Sequence, residues 1–198
     1  MAFERDALLD AFDQIGRAAV VAGTKLQGAV YGGSALMLAS NFRFATEDVD
    51  VSQLEHPLPV WLAAVVHEIA KKNEWQDDWF NDGVVLHLSS LADGGDHLEF
   101  GTFPRDSTPP GLVVSVPSAE YLLALKLKAL RVMDPVRGET ERLDILNLMK
   151  VVGISTAEQA IALLGRYFPV SAASPEKQRF LLKNMNREGG IDAPKYPR

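Results

Sequence analysis

Two aspartates, Asp48 and Asp50, stand one residue apart in the stretch TEDVDVS, which alternates polar and apolar residues. In a β-strand, residues i and i+2 project from the same face, so the two carboxylates point the same way. Like charges this close repel each other unless a cation offsets them or water hydrates them well. Carboxylate oxygens in a chain without cysteine favour Mg²⁺ or Mn²⁺, so the pair predicts a metal site. A solvent-facing strand edge is the alternative interpretation.

A third acid is needed for a site that holds two ions, and Glu99 in the stretch HLEFGTF is the candidate. We expect its strand to pair alongside that of the aspartates, with Glu99 on the same face as His97. Glu99 would then act as a metal ligand or as a general base.

The triplet Gly32-Gly33-Ser34 follows the strand-like stretch LQGAVY and precedes an apolar helical segment. Backbone N–H groups at a glycine turn that enters a helix form a cradle for phosphate, to which Ser34 would add a hydroxyl donor. Ser34 is also the expected cap of the helix that follows. The alternative for the glycines is a simple turn.

Lys126 is the third candidate, because its helical neighbours three and four residues away are all apolar. An ammonium on a buried face is costly unless it meets an anion, which is either a triphosphate or a protein carboxylate. Asp144 in the following helix is the candidate protein partner of Lys126 or Arg131. Arg131 lies on a wetter side of its helix, from which it could reach phosphate.

These residues need a sheet to position them, and the hydrophobic periodicity predicts a mixed sheet in the first part of the chain and helices in the second. Strands are expected at 26–31, 46–52 and 112–116, with a hairpin formed by 84–90 and 97–103. Helices are expected at 3–22, 35–40, 58–72, 119–133, 137–152 and 155–168, with a last one from 174. The fold class is therefore α+β, with a small twisted mixed sheet flanked by helices over residues 1–116 and a C-terminal helical bundle over 117–198.

The composition is that of a globular protein, with 47% hydrophobic and 23% charged residues in a chain of 198. The net charge of -6 disfavours a protein that coats nucleic acid non-specifically, although Lys and Arg outnumber the acids after residue 165. No apolar run is long enough to cross a bilayer, and the N-terminus carries acids where a signal peptide would be basic. We therefore expect a cytoplasmic protein that does not bind membranes.

Three segments, in this order, resemble the minimal nucleotidyltransferases of the DNA polymerase β superfamily, particularly the abortive-infection and toxin–antitoxin branch. They are GGSALMLASNFRFATEDVDVS, SAEYLLALKLKALR and ETERLDILNL, and the resemblance spans roughly residues 28–150. It implies a nucleotidyltransferase fold, with a nucleoside triphosphate as substrate and Mg²⁺ or Mn²⁺ as cofactor. It also implies the following roles: triphosphate binding by the glycine turn and Ser34, metal binding by Asp48 and Asp50, phosphate contact by Lys126, and support of catalysis or of that lysine by Asp144.

Four further residues enter through the resemblance alone. Arg43 and Thr46 match the family's lead-in to the acids and would brace the turn or touch phosphate. Asn81 and Asp82 lie in WFNDGV, which resembles a segment of one subgroup and has no assigned role. The chain departs from the family at one motif. The family usually carries an Arg-Asp pair ahead of the final aspartate, and this chain has Thr140-Glu141 at those positions.

The resemblance implies transfer of a nucleoside monophosphate group to a hydroxyl of RNA, protein or a small molecule, and a toxin-like role with an antitoxin or toxin partner. The altered TERLD motif and the basic tail favour a second interpretation, a catalytically decayed module of the same fold that binds a partner protein or RNA. An enzyme that nucleotidylates aminoglycosides, or one that modifies a protein, is a third.

Overall fold

The computed structural model describes residues 2–52, 59–185 and 190–197. The chain is mixed α+β, with a twisted mixed sheet and flanking helices, as the sequence predicts. It divides into two compact units. Unit 1 comprises Met1–Ala39, Arg43–Leu86 and His97–Val116, and unit 2 comprises Ser40–Phe42, His87–Asp96 and Pro117–Arg198.

Unit 1 contains all the described strands and, among its described residues, three α-helices. The strands are β1 (Phe3–Glu4), β2 (Leu26–Tyr31), β3 (Ala45–Thr46), β4 (Val49–Ser52), β5 (Phe80–Asn81), β6 (His97–Phe103) and β7 (Leu112–Pro117), which ends at the unit boundary. The helices are α1 (Arg5–Val21), α2 (Gly32–Ala39) and α3 (Val60–Asn73). The predicted helices at 3–22 and 58–72 and the predicted strands at 26–31 and 112–116 are thus confirmed within a few residues, although Leu58 lies outside the described residues.

Five strands form one sheet in the order β5-β4-β2-β7-β6. Strand β2 pairs antiparallel with β4 and parallel with β7, while β4 pairs parallel with β5. The register places Tyr31 opposite Asp50 and Asp50 opposite Asn81, so these three residues form a row across three strands. A separate ladder pairs β1 with β3, with Phe3 opposite Thr46.

Helix α1 packs closely on the sheet because a glycine stands at the contact. A Cβ on Gly16 would lie 2.5 Å from the carbonyl carbon of Phe103, which no side chain can tolerate. The apolar face of the helix is buried on either side of this point, and the rings of Phe12 and Phe103 lie 5.3 Å apart. This contact fixes β6 against the helix.

Three aromatic side chains secure the other edge of the sheet. The ring of Phe3 stacks on Trp75 at 4.2 Å, and Trp75 lies 4.9 Å from Trp79. Trp79 is fully buried, and its indole N–H donates to the carbonyl of Val66 at 3.1 Å. Because Trp79 directly precedes β5, this cluster places Asn81 beside Asp50.

The described part of unit 2 contains five α-helices, α4 (Ala119–Ala129), α5 (Gly138–Val152), α6 (Ala157–Tyr167), α7 (Pro169–Ala173) and α8 (Glu176–Asn184). The predicted cap of α4 is confirmed, because Ser118 Oγ accepts a hydrogen bond from the backbone N–H of Tyr121. Gly153 ends α5 with a φ of 77°, also as predicted. Helix α4 ends four residues earlier than predicted, where Leu130 adopts a φ of 42°.

Two local predictions outside the sheet are wrong. The cap of α6 is Thr156 with Gln159 in a capping box, rather than Ser155 with Glu158. The predicted strand at 84–90 does not form either, since Gly83–His87 is a 3₁₀ helix. The physical reason lies in unit 2, where the backbone N–H of Ser89 donates to the hydroxyl of Tyr121 and is not available for strand pairing.

Among the described residues, no single helix is long and apolar enough to cross a membrane. The pair α5 and α6 passes that test only when joined, and the two helices are bent by 88° at their break.

Candidate functional site

The turn between β2 and α2 lies directly against one of the predicted metal ligands. Gly32 begins α2 with a φ of 67°, a left-handed conformation that glycine adopts at little cost. A Cβ on Gly32 would stand 2.9 Å from Oδ2 of Asp50. The absence of a side chain at Gly32 therefore makes room for the carboxylate, which sits over the start of the helix.

Arg43 and Thr46 approach the same turn from the segment that follows α2. The Arg43 Nη2 and Thr46 Oγ1 atoms would each lie 3.1 Å from a Cβ on Gly33. Arg43 Nε donates to the carbonyl of Ala45 at 2.9 Å, which holds the guanidinium in place. A cation and a hydroxyl thus stand at the N-terminal end of α2, where the helix dipole also favours an anion.

Ser34 lies in the same turn, but it is not a helix cap. It is the third residue of α2, is buried, and its hydroxyl donates to the carbonyl of Tyr31 at 2.8 Å. The predicted cap is wrong because the helix begins at Gly32, three residues before its expected start at Ala35. The Ser34 hydroxyl is bonded to the last carbonyl of β2. Its contact with a triphosphate stays a prediction.

Asp48 directly precedes β4 and Asp50 is its second residue, so the predicted strand at 46–52 is interrupted at Glu47 and Asp48. The Thr46 hydroxyl lies 3.3 Å from Oδ1 of Asp48 and 3.2 Å from its carbonyl oxygen, and it can donate to either. Both aspartates are partly exposed, while the intervening Val49 is fully buried. The Asp50 carboxylate lies beside the space that a Cβ on Gly32 would fill, and Asp48 lies two residues before it. Carboxylate oxygens of this kind fit Mg²⁺ or Mn²⁺.

Glu99 is placed differently from the expectation. It lies exposed on β6, and β7 and β2 separate that strand from β4. Three strand spacings of about 4.8 Å put the two strands roughly 14 Å apart. Among the described residues, no group of three His, Asp or Glu side chains is arranged to hold a metal ion.

Asn81 is brought next to Asp50 by the pairing of β4 with β5. Its Oδ1 accepts a hydrogen bond from the backbone N–H of Gly83 at 2.9 Å, which turns the chain after the strand. Asp82 lies at that turn, and its carbonyl accepts from Val85 N–H at 2.9 Å. Asn81 therefore belongs to the same row as Asp50, and its amide is engaged in shaping the turn.

Three polar residues that were not predicted as site residues form a network on the face of the sheet that carries Asp50. The Ser52 hydroxyl donates to the Tyr31 hydroxyl at 3.2 Å, and the Tyr31 hydroxyl lies 2.8 Å from Nε2 of His97. Ser52 and Tyr31 are both more than nine-tenths buried. Since buried hydroxyls are costly without partners, the network ties β2, β4 and β6 together. The sequence gives only a weak signal for this network. Ser52 lies two residues after Asp50 and His97 lies two residues before Glu99, so each shares a strand face with a predicted site residue.

Lys126 lies in unit 2, where it binds two carboxylates. Its Nζ is 3.1 Å from Oε2 of Glu141 and 3.0 Å from Oδ2 of Asp144. The side chains of Lys126 and Asp144 are only 7% and 3% exposed. A protein carboxylate is therefore the anion that meets this lysine. Arg131 is exposed just beyond α4, and its carbonyl accepts from Asp134 N–H.

Comparison of the chain with protein-family models, with curated proteins and with solved structures finds no match.

Proposed function

We propose that this protein is a Mg²⁺-dependent nucleotidyltransferase, which moves a nucleoside monophosphate group from a nucleoside triphosphate to an acceptor hydroxyl. The observation that carries the proposal is the contact of the Asp50 carboxylate with the Gly32 turn. Displacement at phosphorus requires a triphosphate held in a fixed position. A metal-binding acid next to a backbone cradle for phosphate can hold it in this way. The nucleotidyltransferase fold and a toxin-like role are part of the proposal and rest on the sequence resemblance.

The residues of unit 1 divide the work in this proposal. The backbone N–H groups at the start of α2, the guanidinium of Arg43 and the hydroxyl of Thr46 bind the triphosphate. Asp48 and Asp50 hold the metal, which when bound lowers the pKa of the attacking hydroxyl and neutralises phosphate charge. The acceptor oxygen bonds to the α-phosphorus, the bond from that phosphorus to pyrophosphate breaks, and the hydroxyl proton is released to a base or to water.

The experiment is a transfer assay on the full chain with each labelled nucleoside triphosphate, Mg²⁺ and cellular RNA or lysate as acceptor. We expect label transfer to fall at least about 100-fold in Asp48→Asn and Asp50→Asn, because each change removes a charged ligand. Asp77→Asn is the matched control, since this acid of unit 1 is 86% exposed and pairs with His67. Wild-type protein that binds no triphosphate in calorimetry and transfers no label would end the proposal.

A second candidate function is favoured by the surroundings of Lys126. The resemblance implies that this lysine contacts phosphate, yet Glu141 and Asp144 already bind its ammonium in unit 2. A catalytically decayed module that binds a partner protein or RNA would keep such an ion cluster for folding. Calorimetry with Mg²⁺ or Mn²⁺ separates the two functions, since a decayed site has no need of a divalent cation while the enzyme binds one through Asp48 and Asp50.

A further inference from the structure

Phe44 presents an exposed aromatic ring next to the residues that pack on the Gly33 turn. Its relative exposure is 65%, and of the described aromatic residues only Phe180 is as exposed, at 67%. Aromatic rings contribute to stability mainly when buried, and most of the described ones are buried or half-buried. The Phe44 ring therefore contributes little to the core of unit 1.

The backbone that carries Phe44 is held on both sides. The hydrogen bond from Arg43 Nε to the Ala45 carbonyl spans the residue, and Ala45 itself begins strand β3, which pairs with β1. A side chain on a held backbone loses less freedom when it binds a ligand than one on an open loop. The backbone that carries the ring is thus fixed on both sides.

The neighbours of Phe44 indicate which ligand this would be. Arg43 Nη2 and Thr46 Oγ1, one and two residues away, lie against Gly33 and are the side chains to which the proposed function assigns the triphosphate. A nucleotide held by its phosphates at this turn carries a flat aromatic base, and a flat apolar ring stands in the same four-residue segment. We propose that Phe44 stacks on the base of the bound nucleoside triphosphate, an inference that rests on the proposed function.

Stacking of this kind has a defined signature. Every base has a π-face, so a single aromatic platform adds affinity without hydrogen-bond readout of the base. Removal of the ring should therefore weaken the binding of all four nucleoside triphosphates. It should leave the binding of inorganic tripolyphosphate unchanged, because tripolyphosphate has the same anionic groups and no base.

The experiment measures binding of ATP, GTP, CTP, UTP and inorganic tripolyphosphate to the full chain with Mg²⁺ by calorimetry. We expect Phe44→Ala to weaken each nucleotide that the wild type binds by about tenfold or more, the loss implied by one stacked base. Phe44→Trp should keep nucleotide affinity, because indole stacks at least as well. Phe180→Ala is the matched control, because Phe180 has an equally exposed ring in unit 2. It should change the affinity neither for the nucleotides nor for tripolyphosphate.

The inference is overturned if Phe44→Ala leaves nucleotide affinity unchanged, or if it weakens tripolyphosphate and nucleotides equally, since the ring would then support only the phosphate site. These outcomes leave the proposed function standing, because the wild type still binds triphosphate. Failure of the proposed function gives a different result, in which the wild type binds neither the nucleotides nor tripolyphosphate. That result would overturn the inference as well.

Discussion

The carboxylate of Asp50 lies against Gly32, at a place where the Cβ of any other residue would stand 2.9 Å from Oδ2. Gly32 also has a φ of 67°, so two separate constraints require glycine at the end of β2. The first constraint comes from a neighbouring strand and the second from the local turn. A substitution at Gly32 therefore tests the backbone and the acid together.

We predict that Gly32→Ala destabilises the protein by about 1–2 kcal/mol through backbone strain and additionally displaces Asp50. Gly23→Ala is the control, because Gly23 has the same φ of 67° and nothing within 4 Å of its added Cβ. Chemical unfolding measures the first effect, and calorimetry with Mn²⁺ measures the second, with an expected loss of affinity of about tenfold or more. Equal effects of the two substitutions in both measurements would show that Asp50 is not constrained by the turn.

Replacement of Lys126 tests the ion cluster of unit 2. Lys126→Met removes the ammonium that binds both Glu141 and Asp144, with the Asp144 side chain only 3% exposed. We predict a loss of about 3–5 kcal/mol in the free energy of unfolding, measured with urea. The double variant Lys126→Met, Asp144→Leu should recover a large part of that loss, because it also removes the more deeply buried of the two carboxylates that Lys126 binds.

The matched control for this cluster is Lys71→Met, since Lys71 is an exposed lysine of α3. Its effect should stay within about 0.5 kcal/mol. A loss from Lys126→Met that is no larger than the control's would contradict a structural role for the pair.

The network on the sheet face can be tested through its central hydroxyl. Tyr31→Phe removes the acceptor of the buried Ser52 hydroxyl and one partner of His97. We predict a destabilisation of about 1–3 kcal/mol, and the added change Ser52→Ala should restore part of it because the stranded donor is then gone. Additive effects of the two substitutions in a double-mutant cycle would mean that the hydroxyls do not interact.

Stability should fall in alkaline solution because tyrosines of unit 2 are held in the neutral form. Burial, followed by the hydrogen bond that Tyr167 donates to Asp96 at 2.7 Å, raises the pKa of Tyr167, and burial also raises the pKa of Tyr196. A raised pKa in the folded state means that the unfolded chain loses its protons first, near pH 10. The stabilising effect is therefore complete below about pH 10 and is lost as the pH rises beyond it.

The measurement is the free energy of unfolding as a function of pH, for the wild type and for Tyr167→Phe. The variant should lose stability less steeply above about pH 10, by at most about 1.4 kcal/mol per pH unit. The wild-type and variant curves would stay parallel there if Tyr167 ionised in the folded chain as readily as in the unfolded one.

Many local features followed from the sequence because their causes lie within a few residues. The apolar spacing of α1, the cap at Ser118 and the glycine that ends α5 all act through neighbours along the chain. The wrong strand at 84–90 shows where this reasoning stops. Its apolar residues suit a strand, but the hydroxyl of Tyr121, 32 positions along the chain, accepts the hydrogen bond of Ser89 N–H.

The candidate site divides in the same way. The chain order of the glycine turn and the two aspartates is consistent with a cluster. Only the short helix α2 and the two-residue strand β3 separate β2 from β4, which is its neighbour in the sheet. For Lys126 the sequence left a phosphate and a protein carboxylate open, and the structure brings it to Asp144. The placement of Glu99 needed the strand order, which no local pattern encodes.

By itself the sequence determined the α+β class, most helices and strands, and the residue types able to bind a metal and phosphate. Tertiary structure decided the order of the strands, the approach of Asp50 to Gly32, and the network that joins Ser52, Tyr31 and His97. The physical reason is the distance along the chain over which each kind of interaction acts. Backbone preferences and side-chain periodicity act over a turn or a strand, whereas strand order and buried polar pairs are selected by the packing of segments far apart in the chain.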